Sequence, residues 1–302
     1  MEYKNKYAEY TLLLGKGFAL KVYLPALLEI NCNKILLPSS SKKHINDGSN
    51  GQYIKWIDDE DIINNKFLKI IIAEPPLKQY SLISDMALWK NSNSLVLEKP
   101  IADDNKKAED LIKILNKNNT KFSINYSFRY TKWFNNINRY IHNNYKKGDI
   151  DIIWKFKGRH LDKKKPSWKT NHLQGGGAIK YYGIHLIAIL SDMGYSDVNQ
   201  SNIFNQPKSK INTWSCEFIS NKKIPKITLH LDSYSNENIF CWKQVNKNIL
   251  EIESPFSLES SEYNGDNRIP PTIKFLQEKY TDLLNSKNMN ALGLWSKIES
   301  MI

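Results

Sequence analysis

Between Tyr10 and Tyr126 short apolar runs alternate with stretches of helical period, and that alternation admits few folds. Residues 10–14, 34–37, 68–73, 94–97 and 122–126 read as strands. A helical pattern through Leu20, Leu24, Leu27 and Leu28, and further ones over 77–90 and 103–116, separate them. In the last helix Ala108, Leu111, Ile112 and Leu115 share one face. Strands regularly separated by helices build a parallel sheet with helices on its faces, because a parallel connection needs a crossover.

Beyond Tyr126 the pattern changes. Residues 150–156, 213–219, 227–234, 239–245 and 249–252 read as strands without intervening helices of similar weight, which predicts a largely antiparallel sheet. Helices are expected near 178–190, 272–284 and 291–302. The fold class is therefore α/β: a Rossmann dinucleotide-binding domain over 1–122, then an α+β domain over 123–302 with an open-faced sheet. If Trp214, Phe218, Leu229, Leu231, Phe240 and Trp242 line an exposed face of that sheet, it is a homo-oligomer surface; alternatively they cover the domain's own helices.

Composition narrows the partners. The formal charge of +12 invites a nucleic-acid reading, but the basic residues are spread along the chain, and the densest runs, Lys42-Lys43 and Lys163 to Lys165, are short. A basic surface equally favours an anionic small substrate. No apolar stretch is long enough to span a bilayer, and the first ten residues are polar. Cys32, Cys216 and Cys241 are widely separated, without metal-ligand spacing, which suits a reducing cytoplasm; no metal is expected.

Gly15-Lys16-Gly17-Phe18-Ala19 lies directly between the first strand and the first helix. Glycines serve there because the turn is tight, a pyrophosphate approaches the backbone, and the helix start offers N–H groups to it. The motif departs from G-x-G-x-x-G at Leu20, and a plain turn is the competing reading. After the second strand come Ser39, Ser40, Ser41, Lys42 and Lys43. With no carboxylate to accept from a ribose 2'-hydroxyl, hydroxyls and lysines suit a 2'-phosphate, so NADP(H) is preferred over NAD(H), against a merely solvated loop. Glu98-Lys99-Pro100 ends another buried strand at the edge where such sheets bind ligands; it places a cation there or forms an ordinary turn. Further on, Trp168-Lys169 and Gly175-Gly176-Gly177 precede a helix carrying Tyr181, Tyr182 and His185, with Tyr181 and His185 one turn apart. Because the ordinary pKa of a histidine lies near neutrality, His185 is a candidate proton carrier, or a satisfied core residue.

Taken in order, these blocks resemble the Gfo/Idh/MocA (glucose-fructose oxidoreductase, inositol dehydrogenase, MocA) family. The likeness runs through Gly15 to Ala19 with Pro25-Ala26-Leu27, Ala73-Glu74-Pro75, Glu98-Lys99-Pro100, Asn125 to Tyr130 with Arg129, Ser167-Trp168-Lys169, and Gly175 to His185. It covers most of the chain to about residue 190 and is poor after Asn199. The resemblance implies a two-domain fold and NAD(P)-dependent hydride transfer at a sugar, sugar nucleotide or polyol carbon. It also implies a catalytic pair at Lys99 and His185, with the second domain's sheet covering substrate and packing on another subunit. Ala73, Glu74, Pro75, Glu98, Pro100 and Arg129 then fall to the cofactor; Arg159, His160, Trp168, Lys169 and Tyr182 to the substrate, or to ordinary surface. Two departures stand out: Tyr181 replaces the aspartate usual four residues before the histidine, so that Tyr181 assists proton transfer as a phenol, and Glu74 replaces a threonine, a carboxylate that hinders an anionic cofactor. Those departures motivate a rival reading, a non-catalytic cofactor-binding regulator or scaffold of the same fold. A further rival is elimination or hydrolysis through transient nicotinamide oxidation.

Overall fold

A computed structural model describes residues 6–45, 51–161, 167–204, 206–245, 247–259 and 265–302. The lysine run 163–165 lies outside them. The chain divides into two units: 1–102, 107–125 and 268–281 in the first, and 103–106, 126–267 and 282–302 in the second.

The first unit holds a six-stranded parallel sheet of β1 (Thr11–Leu14), β2 (Ile35–Pro38), β3 (Ile54–Ile57), β4 (Lys69–Ile72), β5 (Ser94–Leu97) and β6 (Lys121–Ile124), in the order β3-β2-β1-β4-β5-β6. Its central strands are fully buried, Leu12, Leu13, Ile70, Ile71, Ile72, Leu95 and Leu97 among them, as apolar runs covered on both faces must be. A wide π-type turn, Ala19–Tyr23, leads into α1 (Leu24–Glu29); α2 (Asp59–Asn64), α3 (Pro76–Ser84) and α4 (Asn105–Lys117) follow. The expected apolar stripe of α4 is entirely buried. The strand order reverses between β1 and β4, and such a switch point is where open α/β sheets take their ligands.

The second unit contains α5 (Phe134–Asn143), β7 (Ile150–Lys157), a second π-type turn (Ala178–Gly183) running into α6 (Ile184–Met193), and β8 (Asp197–Asn202), β9 (Thr213–Ile219), β10 (Ile227–Asp232), β11 (Tyr234–Gln244) and β12 (Lys247–Ile252). The strands order as β12-β11-β7-β10-β9-β8, with only β7 and β10 parallel. The six apolar residues that would have marked an oligomer surface are instead at most 1% exposed. Trp133, just before α5, lies 5.2 Å from Phe240, and Gly183 leaves room for the Trp214 ring. These residues are the unit's own core.

The last two helices fall in different units. Residues 272–284 were expected as one helix, but α7 (Ile269–Gln277) ends where Glu278 turns extended, and α8 (Asp282–Glu299) starts afresh. The first packs against α1 in the first unit, while the second belongs to the other unit and packs on α6.

Candidate functional site

In the first unit Gly15 stands at the switch point. Its φ is +120°, and an added Cβ would lie 2.3 Å from the Ala73 carbonyl oxygen. The Ala73 N–H donates to the Leu14 carbonyl at 2.9 Å, so β1 and β4 draw together here and no side chain fits between them. Among the described residues nothing lies within 4 Å of a Cβ placed on Gly17, and Lys16 and Gly17 are both exposed. Ala19 is fully buried beneath it. Phe18 sets its ring edge-on to Tyr23 at 5.4 Å. The 39–44 segment forms a short 3-10 turn after β2, with Ser39 half-buried, Ser40 and Lys42 exposed, and the Lys42 ammonium 5.6 Å from the Trp56 ring centroid. Ser41 is buried. Glu74, the carboxylate that threatens an anionic ligand, is ion-paired with Lys78 at 2.6 Å. Pro75 directly precedes α3.

Glu98 is enclosed. Its Oε1 accepts from the Tyr23 hydroxyl at 2.8 Å and from Asn125 Nδ2 at 3.0 Å. Burial pushes its carboxyl up to about 7, against the Lys99 charge, the two side-chain donors and the Lys99 N–H, which all pull it down. Gln79 of α3, fully buried, exchanges two hydrogen bonds with the Glu98 backbone and donates a third to the Ile101 carbonyl. The half-buried Lys99, whose bond to Pro100 is cis, is thereby held from both sides.

In the second unit the glycine run has a packing reason. A Cβ on Gly176 would sit 2.0 Å from the Trp168 carbonyl oxygen and one on Gly177 2.8 Å from that of Ile211, so the Trp168-Lys169 backbone lies on Gly176 and the Ile211 carbonyl on Gly177. Tyr181, half-exposed, brings its hydroxyl to 3.4 Å from His160 Nε2 and meets the edge of Trp168 at 5.5 Å; the Lys169 ammonium is 5.5 Å from the Tyr181 ring centroid. Tyr182 packs on Phe156 at 4.6 Å, and burial, then the charge of Tyr181, pushes its phenol up. His185 is buried and stacks on Phe128 at 4.7 Å. Tyr181 lies in the π-type turn and His185 in the first turn of α6 that continues it. Arg159 is exposed.

Arg129, expected at the cofactor, has its fork engaged within the second unit. Its Nε and Nη2 hold both Asp192 oxygens at 2.8 and 3.0 Å, and Nη1 donates to Asn288 at 2.7 Å. Both ion-pair side chains are about 5% exposed, so the fork braces the second unit's core. Tyr23, Gln79 and Asn125, which fix Glu98 and Lys99, were missed. Nothing in their local pattern marks them; only β6 ending beside β5 and α3 lying over the Glu98 turn bring them together.

No family model matches the chain, and no curated protein does. Solved structures do resemble it. A super-repressor mutant of Gal80p from Saccharomyces cerevisiae is 15% identical, with TM-score 0.71 over 98% of this chain and 94% of that one. KijD10, a 3-ketoreductase from Actinomadura kijaniata solved with NADP and TDP-benzene, is 10% identical, with TM-score 0.68 over 98% of both chains. The WlbA dehydrogenase from Thermus thermophilus, solved with NAD and UDP-GlcNAcA, is 13% identical, with TM-score 0.65 over 96% of this chain and 94% of that one. These likenesses show a shared two-domain fold.

Proposed function

We propose that this protein is a nicotinamide-dependent oxidoreductase, with NADP(H) preferred, acting on a sugar, sugar nucleotide or polyol. The observation that carries the reading is Gly15. A left-handed glycine at the switch point of a Rossmann sheet, touching Ala73 and followed by an exposed Gly17, is what a close pyrophosphate approach requires. The residues fit the group: Gly15 to Ala19 for the diphosphate, Ser39, Ser40 and Lys42 for a 2'-phosphate, and no carboxylate at the end of β2 to repel it. The bound dinucleotide would supply or accept the hydride. Lys99 then polarises the oxygen on the reacting carbon, and His185 gives that oxygen its proton in reduction or removes it in oxidation. Tyr181, with His160 beside its hydroxyl, assists the transfer, and Trp168, Lys169 and Tyr182 contact the substrate.

Fluorescence titration of the protein with NADPH and NADH at equal salt tests the reading without a known substrate. The expected outcome is saturable binding of both, NADPH tighter by about tenfold, the worth of a charged contact to one phosphate. Binding of neither sinks it. The likeness to a Gal80p super-repressor favours a second reading, a dinucleotide-binding regulator without turnover. In that case Lys99→Ala keeps its biological activity.

A further inference from the structure

Arginine is scarce in this chain: of 43 basic residues only Arg129, Arg139, Arg159 and Arg268 carry a guanidinium. Where lysine is the default cation, a retained arginine draws attention to what its planar fork does, since two parallel N–H donors match a carboxylate or a phosphate. Arg129 closes its fork on Asp192. Arg268 is the one arginine of the first unit, and it comes from the segment 268–281 that returns there from the far end of the chain.

Its position is specific. Arg268 is the N-cap residue of α7, the helix packed against α1 and against the turn that precedes α1. It is half-buried, with its guanidinium carbon 5.1 Å from the Phe18 ring centroid. Phe18 is the residue after the exposed Gly17, and its ring is fixed from another side by Tyr23, whose hydroxyl is engaged by Glu98. The cation therefore rests on a ring that the fold holds still, one residue from the exposed end of the glycine turn. A guanidinium set on a ring directs its N–H donors along its own plane, the direction in which an anion's oxygens bind.

We propose that Arg268 grips the diphosphate of the dinucleotide, donating from its fork to phosphoryl oxygens, with Phe18 as the platform that aims it. The proposal rests on the dinucleotide reading above and adds a residue to it. Charge supports the assignment: a diphosphate needs cations, and Glu74, the residue after Ala73, is tied up by Lys78. It also gives the return of residues 268–281 to the first unit a function beyond packing.

The test is calorimetric titration of the full chain, wild type, Arg268→Gln and Arg268→Lys, with NADPH, ADP and adenosine at one salt concentration. Losing a charged, forked contact should weaken NADPH and ADP by about 10- to 100-fold in Arg268→Gln while adenosine, which has no phosphate, changes less than about twofold. Arg268→Lys, a point charge without the fork, should recover part of the loss, and it also serves if the glutamine variant unfolds. Wild type and both variants binding NADPH equally overturns the proposal. So does an equal loss for adenosine, the signature of a residue that only packs. Wild type binding ADP but not NADPH would break the dinucleotide reading and leave the phosphate grip standing; wild type binding neither overturns both.

Discussion

Glu98 in the first unit and Glu299 in the second are both carboxyl groups taken largely out of water, and their neighbours treat them in opposite ways. Around Glu98 the side-chain donors are neutral, a phenol and an amide, and with the Lys99 charge they still fail to offset burial, so the carboxyl is pushed up to about 7. Burial also works against the charge of Glu299. There the hydrogen bond and charge of His172, the Lys180 ammonium and the Trp295 N–H outweigh it, and the carboxyl is held below its usual range. Around Glu299 two cationic side chains and two hydrogen bonds together outweigh burial; around Glu98 the single Lys99 charge with two neutral donors does not. The first unit thus keeps an adjustable proton beside Lys99, while the second uses fixed charge as a brace for the helix start that carries Tyr181.

The most severe way to break this contrast is Glu299→Gln. Lys180 is 3% exposed, its ammonium 3.5 Å from Glu299 and 2.9 Å from the Asp103 carbonyl. Removing the carboxylate leaves that cation buried, which should destabilise the protein by about 3–5 kcal/mol in urea unfolding at pH 7. A loss below about 1 kcal/mol would mean that the brace carries no net charge energy. Because Glu299 is lowered in the fold, its contribution is present above its ordinary 4.5 and is lost as pH falls through the lowered value. The variant should therefore lose wild type's acid-side decline as well.

Glu98→Gln sharpens the other half, with the opposite sign. A folded value of about 7 against an ordinary 4.5 means that the folded state binds more protons between those limits. Stability contributed by the neutral acid is complete below 4.5, falls as pH rises, and is gone above 7. Glutamine keeps an oxygen for Tyr23 and Asn125 without the charge. Wild type and variant should match near pH 4.5, and the variant should be the more stable at pH 8 by up to about 3 kcal/mol, by thermal unfolding. Parallel curves across that range would show that Glu98 is ionised in the fold without cost.

How much of this was legible in the sequence follows from the range of each signal. The β/α alternation and the apolar stripe of α4 are local, and the structure reproduces both. Strand β8 was missed because Asp197–Asn202 is polar, as an edge strand can be, and β3 because its four residues follow a polar stretch. Helix α5 was missed despite a buried face of Phe134, Ile137 and Ile141, because asparagines dilute its pattern. In the site, Gly15 was legible because a turn between strand and helix needs it. Glu98 was visible only as part of a tripeptide; its donors Tyr23 and Asn125 lie on other elements, and Arg268 far along the chain. For Arg129 the sequence shows a cation but not the Asp192 that closes on it.

The smallest effect tests whether burial is what separates the two carboxyls. Glu74, two residues before α3, and Lys78 in its first turn make an i,i+4 ion pair with Lys78 mostly exposed, and such exposed pairs contribute about 0.5 kcal/mol or less to folding. Lys78→Ala should leave unfolding nearly unchanged; a loss above about 1 kcal/mol would show that exposed charge also braces this fold, and the contrast between the units would weaken. Ligand binding should respond more. Unmasking a carboxylate next to Ala73 at the switch point should weaken NADPH about two- to fivefold at low salt, with the difference shrinking at 0.5 M salt as screening sets in. The double variant with Glu74→Thr should bind as well as wild type, because the harm comes from the uncovered acid and not from the missing lysine. If it stays as weak as Lys78→Ala, Lys78 itself touches the ligand, and the pair is part of the binding surface instead of a shield over it.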